Sequence, residues 1–268
     1  LSSVIPIGSS SHTVEMWIKV PSGAGRGILL GNYNASPNSN WEIHESGNLR
    51  IYWNGGNIDV KGTTDLRDDQ WHHIAFVRDK SSNTYKAYVD GNEEFNHNAS
   101  GTDITFANAF VIGSDYRSSP LYFKGEMDEF RIWNGVRSSE EIVASMSCEL
   151  NGDETGLVAY YPFNQGIVGI DNSATNTLID ATGNGYTGTL TNFALTGSAS
   201  NWSNGSELAN SCNTGLILTA IEDQSVTWGD ELAFTATATD MPDLTYSVDA
   251  TSASKGMTIE SSTGAFSW

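Results

Sequence analysis

The run 125–133 (GEMDEFRIW) alternates as a strand, so that Asp128, Phe130 and Ile132 share one face and Met127, Glu129, Arg131 and Trp133 the other. A carboxylate beside two large apolar residues on an inward face is costly unless a cation or several donors meet it. Cation binding is therefore the first chemistry to consider, with Asp128 at its centre. His72 and His73 follow Trp71 directly, and neighbours on a strand point to opposite faces. They cannot chelate one metal together and are expected to be packing residues. Neither Ser-His-Asp, Cys-His nor metallohydrolase spacing appears, so hydrolysis is not expected. Aromatic rings can carry the apolar face of a sugar, and Tyr33, Trp41, Trp53 and Tyr116 lie in or near the polar stretches 31–40 and 114–120. Most of the eight tryptophans of an all-β chain nevertheless belong to its core.

The elements that must position these residues are short. Asn134-Gly135 ends the strand, and Ser138 with Glu141 forms a capping box for one short helix running to about Met146. Residues 13–20 alternate, with Val14, Met16, Ile18 and Val20 on one side. Residues 26–30 form a further strand, 41–45 and 49–53 a hairpin around Ser46-Gly47-Asn48, and 70–78 and 85–89 a strand pair followed by an Asp90-Gly91 turn. Residues 110–113 lead into a polar loop. Short strands at close spacing, with turn dipeptides between them, predict an all-β, two-sheet antiparallel jelly-roll sandwich with one short helix.

Length and charge set outer bounds. The chain has 268 residues and a net charge of −19, which excludes nucleic acid and anionic membrane as natural partners but suits divalent cations or extracellular solubility. No apolar run is long enough to insert in a membrane, and the opening does not read as a signal peptide, so an excised mature piece is expected. The two cysteines, Cys148 and Cys212, are expected to form a disulfide, which fits a secreted protein. A bridge between them would close a loop of about 65 residues and add roughly 4 kcal/mol in the chain-entropy model.

The ordered set EMWIKV, QWHHIAFVRD, AYVDGNEEF, VIGSDY and FKGEMDEFRIWNGVRSSEEI, over residues 10–146, resembles the laminin-G-like, pentraxin-like jelly rolls of the concanavalin A-like superfamily. Only residues 1–11 precede this set, so the family's usual opening element is expected to be missing or cut away. GLVAYYPFNQG and LIDATGNGYTGTL, in 149–212, are similar to segments that open such jelly rolls, and are expected to supply completing strands rather than a second copy. Residues 1–212 are thus read as the jelly roll. Residues 213–268, ending GMTIESSTGAFSW, resemble an Ig/cadherin-like β-sandwich module of bacterial adhesins, too short at this length to be complete.

The resemblance implies calcium. Asp115 in VIGSDY stands where pentraxin-like members place acidic ligands, although those loops carry several acidic residues and this one carries a single Asp. The loop with Asn34 and Asn38 matches the region that supplies further ligands, which implies a calcium-bridged ligand site of Asp115, Tyr116, Tyr33, Asn34, Asn38 and Trp41. A structural calcium on Asp128, with Asp180 and Asn184, is implied by other concanavalin A-like folds. The superfamily also holds retaining glycosidases with E-x-D-x-E on one strand, whose acid and nucleophile stand about 5 Å apart. In Glu126-Met127-Asp128-Glu129-Phe130, Glu129 comes one residue early and Phe130 takes the acid's position, so no enzyme is expected. The expected function is a calcium-dependent glycan- or glycoprotein-binding module of a secreted or cell-surface bacterial adhesin, working beside neighbouring modules of one long chain. The alternatives are a spacer or self-association module and, behind these, a carbohydrate-binding module of a polysaccharide-degrading enzyme.

Overall fold

The computed structural model describes residues 10–31, 39–53, 58–99, 111–115, 117–197, 201–206 and 208, and beyond 212 only five short strands. The chain forms two compact units, Leu1–Cys212 and Asn213–Trp268. In the first, β1 (His12–Lys19), β6 (Trp71–Asp79), β7 (Thr84–Val89), β8 (Asn92–Asn98), β10 (Glu126–Trp133) and β11 (Leu157–Tyr161) form one sheet in the order β11-β10-β1-β6-β7-β8. A second sheet runs β5-β4-β3-β2-β9, from β2 (Gly27–Gly31), β3 (Ser39–Ile43), β4 (Leu49–Trp53), β5 (Ile58–Lys61) and β9 (Val111–Ile112). All their pairings are antiparallel. A small ladder of β12 (Thr177–Leu178) and β13 (Gly188–Thr189) follows.

The sandwich forms because one face of each sheet is apolar by period two. Val14, Met16, Ile18, Ile74, Phe76, Phe130 and Ile132 from one sheet close on Leu30, Trp41, Ile43, Leu49 and Ile51 from the other in one buried cluster. Trp41 lies flat on Phe76 across the interface, with ring centroids 5.5 Å apart. Asp90 and Gly91 both take positive φ, 50° and 78°, which is the mirror-image turn that matches the twist of β7 and β8. Residue 91 thereby requires little or no side chain, and a Cβ there would meet Val143 Cγ2 at 2.4 Å.

The helix α1 (Ser139–Met146) begins as its sequence dictates: the Ser138 hydroxyl accepts from the Glu141 amide, and the Glu141 carboxylate accepts from the Ser138 amide. It covers the outer face of the six-stranded sheet, where Ile142 packs on Ala75, Val77 and Tyr88. Trp133, Leu150, Leu157 and Tyr160 make a second cluster beside it. Both faces of β1 and β10 are consequently buried, and alternation in sequence no longer separates core from solvent.

One expectation about β10 is corrected. Opposite β1 the register runs Glu15↔Arg131 and then Trp17↔Asp128, with a bulge between, and Glu129 takes φ 54°. The extra residue reverses the alternation. Asp128 therefore lies across from Trp17 on the outer face, on the side of Glu129 and Arg131, and not with Phe130 and Ile132 in the core.

In the second unit β15 (Ala233–Thr235), β18 (Ala265–Ser267) and β17 (Thr258–Ile259) form a three-stranded sheet in that order, and β14 (Ile217–Leu218) pairs with β16 (Ala238–Thr239). The remaining residues on which an Ig/cadherin-like module would be judged lie outside those described. Cys148 is buried just past α1, and Cys212 lies outside the described residues. Among the described residues, no helix is long and apolar enough to cross a membrane.

Candidate functional site

The outer face of the five-stranded sheet carries polar side chains across β3, β4 and β5. β4 turns Leu49, Ile51 and Trp53 inward and leaves Arg50 and Tyr52 outward. Glu42 and Asn40 of β3 stand directly opposite them, and Lys61 and Asp59 of β5 flank their other side. Arg26, just ahead of β2, donates from Nε and Nη2 to the Glu42 carboxylate at 3.0 and 2.8 Å. Arg50 reaches the same carboxylate from Nη1 at 2.9 Å. With Nε and Nη2 it clamps Asp59, both bonds at 2.7 Å, and its guanidinium lies 4.9 Å from the Tyr52 ring centre.

Two forks and two carboxylates thus alternate and cancel in charge. The Arg50 hydrogen bonds hold the Asp59 carboxyl below its ordinary range, and Asp59 in turn raises Arg50. Glu42 is wholly covered and pairs with both arginines. A face of fixed donors and acceptors beside a half-buried tyrosine can bind a hydroxyl-rich ligand.

The row continues to Asp115. Gly31 is opposite Asn40 and Val111, and a Cβ on it would stand 2.8 Å from Asn40 Oδ1 and 2.9 Å from Asp115 Cβ. Close packing there demands glycine. Asp115 is buried and accepts from Arg117 Nε at 2.7 Å, Nη2 at 2.5 Å and the amide at 3.3 Å. Asn40 satisfies both ends of its amide when its oxygen faces Arg117 Nη2 at 3.2 Å. Tyr33, Asn34, Asn38 and Tyr116, expected around Asp115, lie outside the described residues. Trp41, expected as a ligand contact, is 1% exposed and stacked in the core, so it offers no ring face to a sugar. Arg50 and Tyr52 were missed, although the alternation Leu49-Arg50-Ile51-Tyr52-Trp53 already turns them out of the core.

The residues expected to hold a structural calcium, Asp128, Asp180 and Asn184, are partnered as follows. Asp128 accepts from the Glu129 amide at 3.0 Å and from the Ser206 amide and hydroxyl at 2.7 and 2.8 Å. Burial raises its carboxyl, and these three donors oppose the rise. Asp180 accepts from the amides of Tyr160, Thr182 and Tyr186, each at 3.1 Å, and from the Thr182 hydroxyl at 2.7 Å. Asn184 is exposed and donates to the Val158 carbonyl at 2.9 Å. The two carboxylates share no donor, and each organises its own loop. At Asp128 the buried carboxylate receives two hydrogen bonds from Ser206. Among the described residues, no group of three or more His, Cys, Asp or Glu could hold a metal. Asp128, Asp180 and Asn184 each have protein hydrogen-bond partners in this structure.

The histidines occupy opposite faces of β6. His72 hydrogen-bonds Asp90 at 2.8 Å and Asp68 at 3.1 Å; burial disfavours its charge, but the two carboxylates outweigh burial and raise its pKa. His73 is buried edge-on to Trp17, 5.6 Å between ring centres, with Glu15 Oε2 at 3.7 Å. Burial first, then the charges of Arg131 and Arg137, lower it to about 3. Folded protein therefore binds fewer protons than unfolded protein between pH 6.5 and about 3. Stability contributed by neutral His73 is present above pH 6.5 and is lost as pH falls through that window, by about 1.4 kcal/mol per unit. His73→Phe is expected to flatten the decline in denaturation midpoint between pH 6.5 and 5; an unchanged slope would show that other groups cause it.

A family model described as the concanavalin A-like lectin/glucanases superfamily matches residues 1–143. The chain belongs to this superfamily. Among curated proteins, none matches the chain. A Bacteroides ovatus protein, assigned provisionally as carbohydrate binding, is similar at 20% identity and a TM-score of 0.55, over 73% of this chain and 57% of that one. The chain thus spans just over half the length of that protein. A heptameric pentraxin from Limulus polyphemus aligns at 15% identity and TM-score 0.41, covering 52% of this chain and 70% of that chain. The CBM40 module of a Ruminococcus gnavus sialidase, bound to α2,3-sialyllactose, aligns at 19% identity and TM-score 0.42, covering 50% and 81%. At 20% identity the Bacteroides likeness speaks for the fold. The architecture here is a two-sheet antiparallel sandwich, and the superfamily match ends within α1.

Proposed function

We propose that residues 1–212 are a non-catalytic glycan-binding module of a secreted or cell-surface protein. The outer face of the five-stranded sheet carries this reading: Arg26, Glu42, Arg50 and Asp59 form a charge-cancelled row of fixed hydrogen-bonding groups beside Tyr52. Such a row suits a polyol better than an ion. The fold shared with the Bacteroides protein is consistent with it. Calcium is the finer part of the proposal and rests on Asp115, which would exchange Arg117 for an ion, with Asn34 and Asn38 the further ligands that the family resemblance implies. A glycan array read with calcium and with EDTA tests both parts. Binding in calcium and its loss in EDTA is the expected result. Equal binding in EDTA removes the ion and keeps the lectin; an array without any hit removes the module's proposed role.

The extracellular reading also carries the Cys148–Cys212 bridge and an Ig/cadherin-like neighbour in residues 213–268, as in a modular adhesin. Denatured, unreduced protein is expected to show no titratable thiol; two thiols would refute the bridge and weaken the location. A second reading, self-association, has its own observation: Ile167, Val168, Ile170 and Ile179 are 62%, 45%, 47% and 56% exposed. A concentration-dependent dimer in sedimentation, abolished by Ile167→Asp, would favour it.

A further inference from the structure

We propose a second saccharide site on the opposite side of the sandwich, in a cleft over the end of the six-stranded sheet, which takes a neutral pyranose ring on Trp71. Lys19 of β1 stands directly across from Trp71 of β6 on one side and Glu126 of β10 on the other. Lys19 and both its partners share the outer face with Trp17 and Asp128, so Trp71, Lys19 and Glu126 form a floor. Trp202, the 203–206 loop and Val168 line, with this floor, an open cleft of about 500 Å³. That volume lies within the ~300–1,000 Å³ of small-ligand sites.

The walls are built rather than incidental. Trp202 lies so close over Gly166 that a Cβ there would stand 2.1 Å from its ring, and Phe193 braces it edge-on with centroids 5.0 Å apart. The 203–206 loop is tied to the floor by Asp128, which receives both the amide and the hydroxyl of Ser206. Gly205 takes φ 73°, and a Cβ on it would come 2.6 Å from Asp128 Oδ2. Asp128, which first suggested a metal, thus serves to hold a binding wall in place.

The chemistry of the cleft selects its ligand. Lys19 and Glu126 pair at 3.7 Å with about a third of each side chain exposed, so the floor is neutral yet offers both donors and acceptors. Anionic and cationic ligands would have to break that pair. A pyranose presents an apolar C–H face, which suits the part-exposed Trp71 ring, and hydroxyls that can bond to both members of the pair. Because the site shares no residue with the Arg50 face, the two can be filled together.

The test is a titration of the full chain with cellohexaose, xylohexaose, laminarihexaose and mannohexaose, following the indole N–H resonances of Trp71 and Trp202. Those resonances are assigned with Trp71→Phe and Trp202→Phe. At least one sugar is expected to move both saturably, with affinity at least tenfold weaker in Trp71→Ala and several-fold weaker in Glu126→Gln, and unchanged in Arg50→Ala. Glu126→Gln, with an unaltered melting curve, keeps the test valid if Trp71→Ala fails to fold. Indoles unmoved by every sugar, or undiminished affinity in both variants, overturn the proposal. A sugar that binds, leaves both indoles unmoved and is lost in Arg50→Ala would overturn this site while leaving the first one standing.

Discussion

Replacing Arg131 by alanine is expected to destabilise the 1–212 unit by about 3–5 kcal/mol, since it leaves buried carboxylates without their counter-charge. Arg131 is fully buried and donates to the Ser145 carbonyl at 2.8 Å, the Cys148 carbonyl at 2.5 Å and Glu129 Oε2 at 2.5 Å, with Glu15 Oε1 at 3.8 Å. Around it, Trp133 Nε1 donates to Glu15 at 2.8 Å, and the Tyr160 hydroxyl to Glu129 at 2.7 Å. The guanidinium thus joins β1, β10 and the end of α1 in one network. Burial raises the Glu129 carboxyl even with Arg131 present, and loss of the arginine removes the chief opposing influence. At about 2–4 °C per kcal/mol for a unit of this size, the melting midpoint should fall by on the order of 10 °C. Arg131→Lys should recover little, because one ammonium cannot reach two carbonyls and a carboxylate in the plane of a fork. Arg131→Met combined with Glu15→Gln and Glu129→Gln should recover much of the loss, because uncharged groups need no counter-charge. A midpoint unmoved in the single alanine variant would show that the network holds nothing together.

Arg50→Ala is expected to weaken glycan binding at least tenfold, about 1.4 kcal/mol, while preserving the sandwich. Arg50 is the hub of the proposed face: it makes three of the row's five hydrogen bonds and lies over Tyr52. Its loss frees Asp59 from the clamp and leaves the covered Glu42 with Arg26 alone, so both the ligand's partners and their positions go together. Tyr52→Ala should weaken binding by a smaller factor, and Arg50→Lys should fall between the wild type and alanine. Affinities measured by calorimetry on the best array hit, beside far-ultraviolet circular dichroism for the fold, decide the matter. Full affinity in Arg50→Ala would move the glycan off this face.

Much of the fold was legible in sequence because its signals are local. Val14, Met16 and Ile18 declare an inward strand face by spacing alone, Asp90-Gly91 declares a hairpin by its tolerance of positive φ, and Ser138 with Glu141 declares a helix start by reciprocal hydrogen bonding. The face of Asp128 was not legible. The bulge at Glu129 depends on how β10 registers against β1, and one added residue reverses every side chain before it. Trp41 was likewise misplaced: nothing local distinguishes a tryptophan that stacks on Phe76 from one that waits for a sugar.

The candidate sites divide in the same way. Sequence determined that Arg50 and Tyr52 leave the core, because alternation around Leu49, Ile51 and Trp53 requires it. Only the tertiary structure decided that Arg26, Glu42, Arg50 and Asp59 form one row and that Ser206 takes Asp128. A carboxylate's type and burial establish that it must have a partner. Which partner arrives depends on chain segments far apart in sequence, 78 residues in the case of Ser206, brought together by sheet packing that no local pattern encodes.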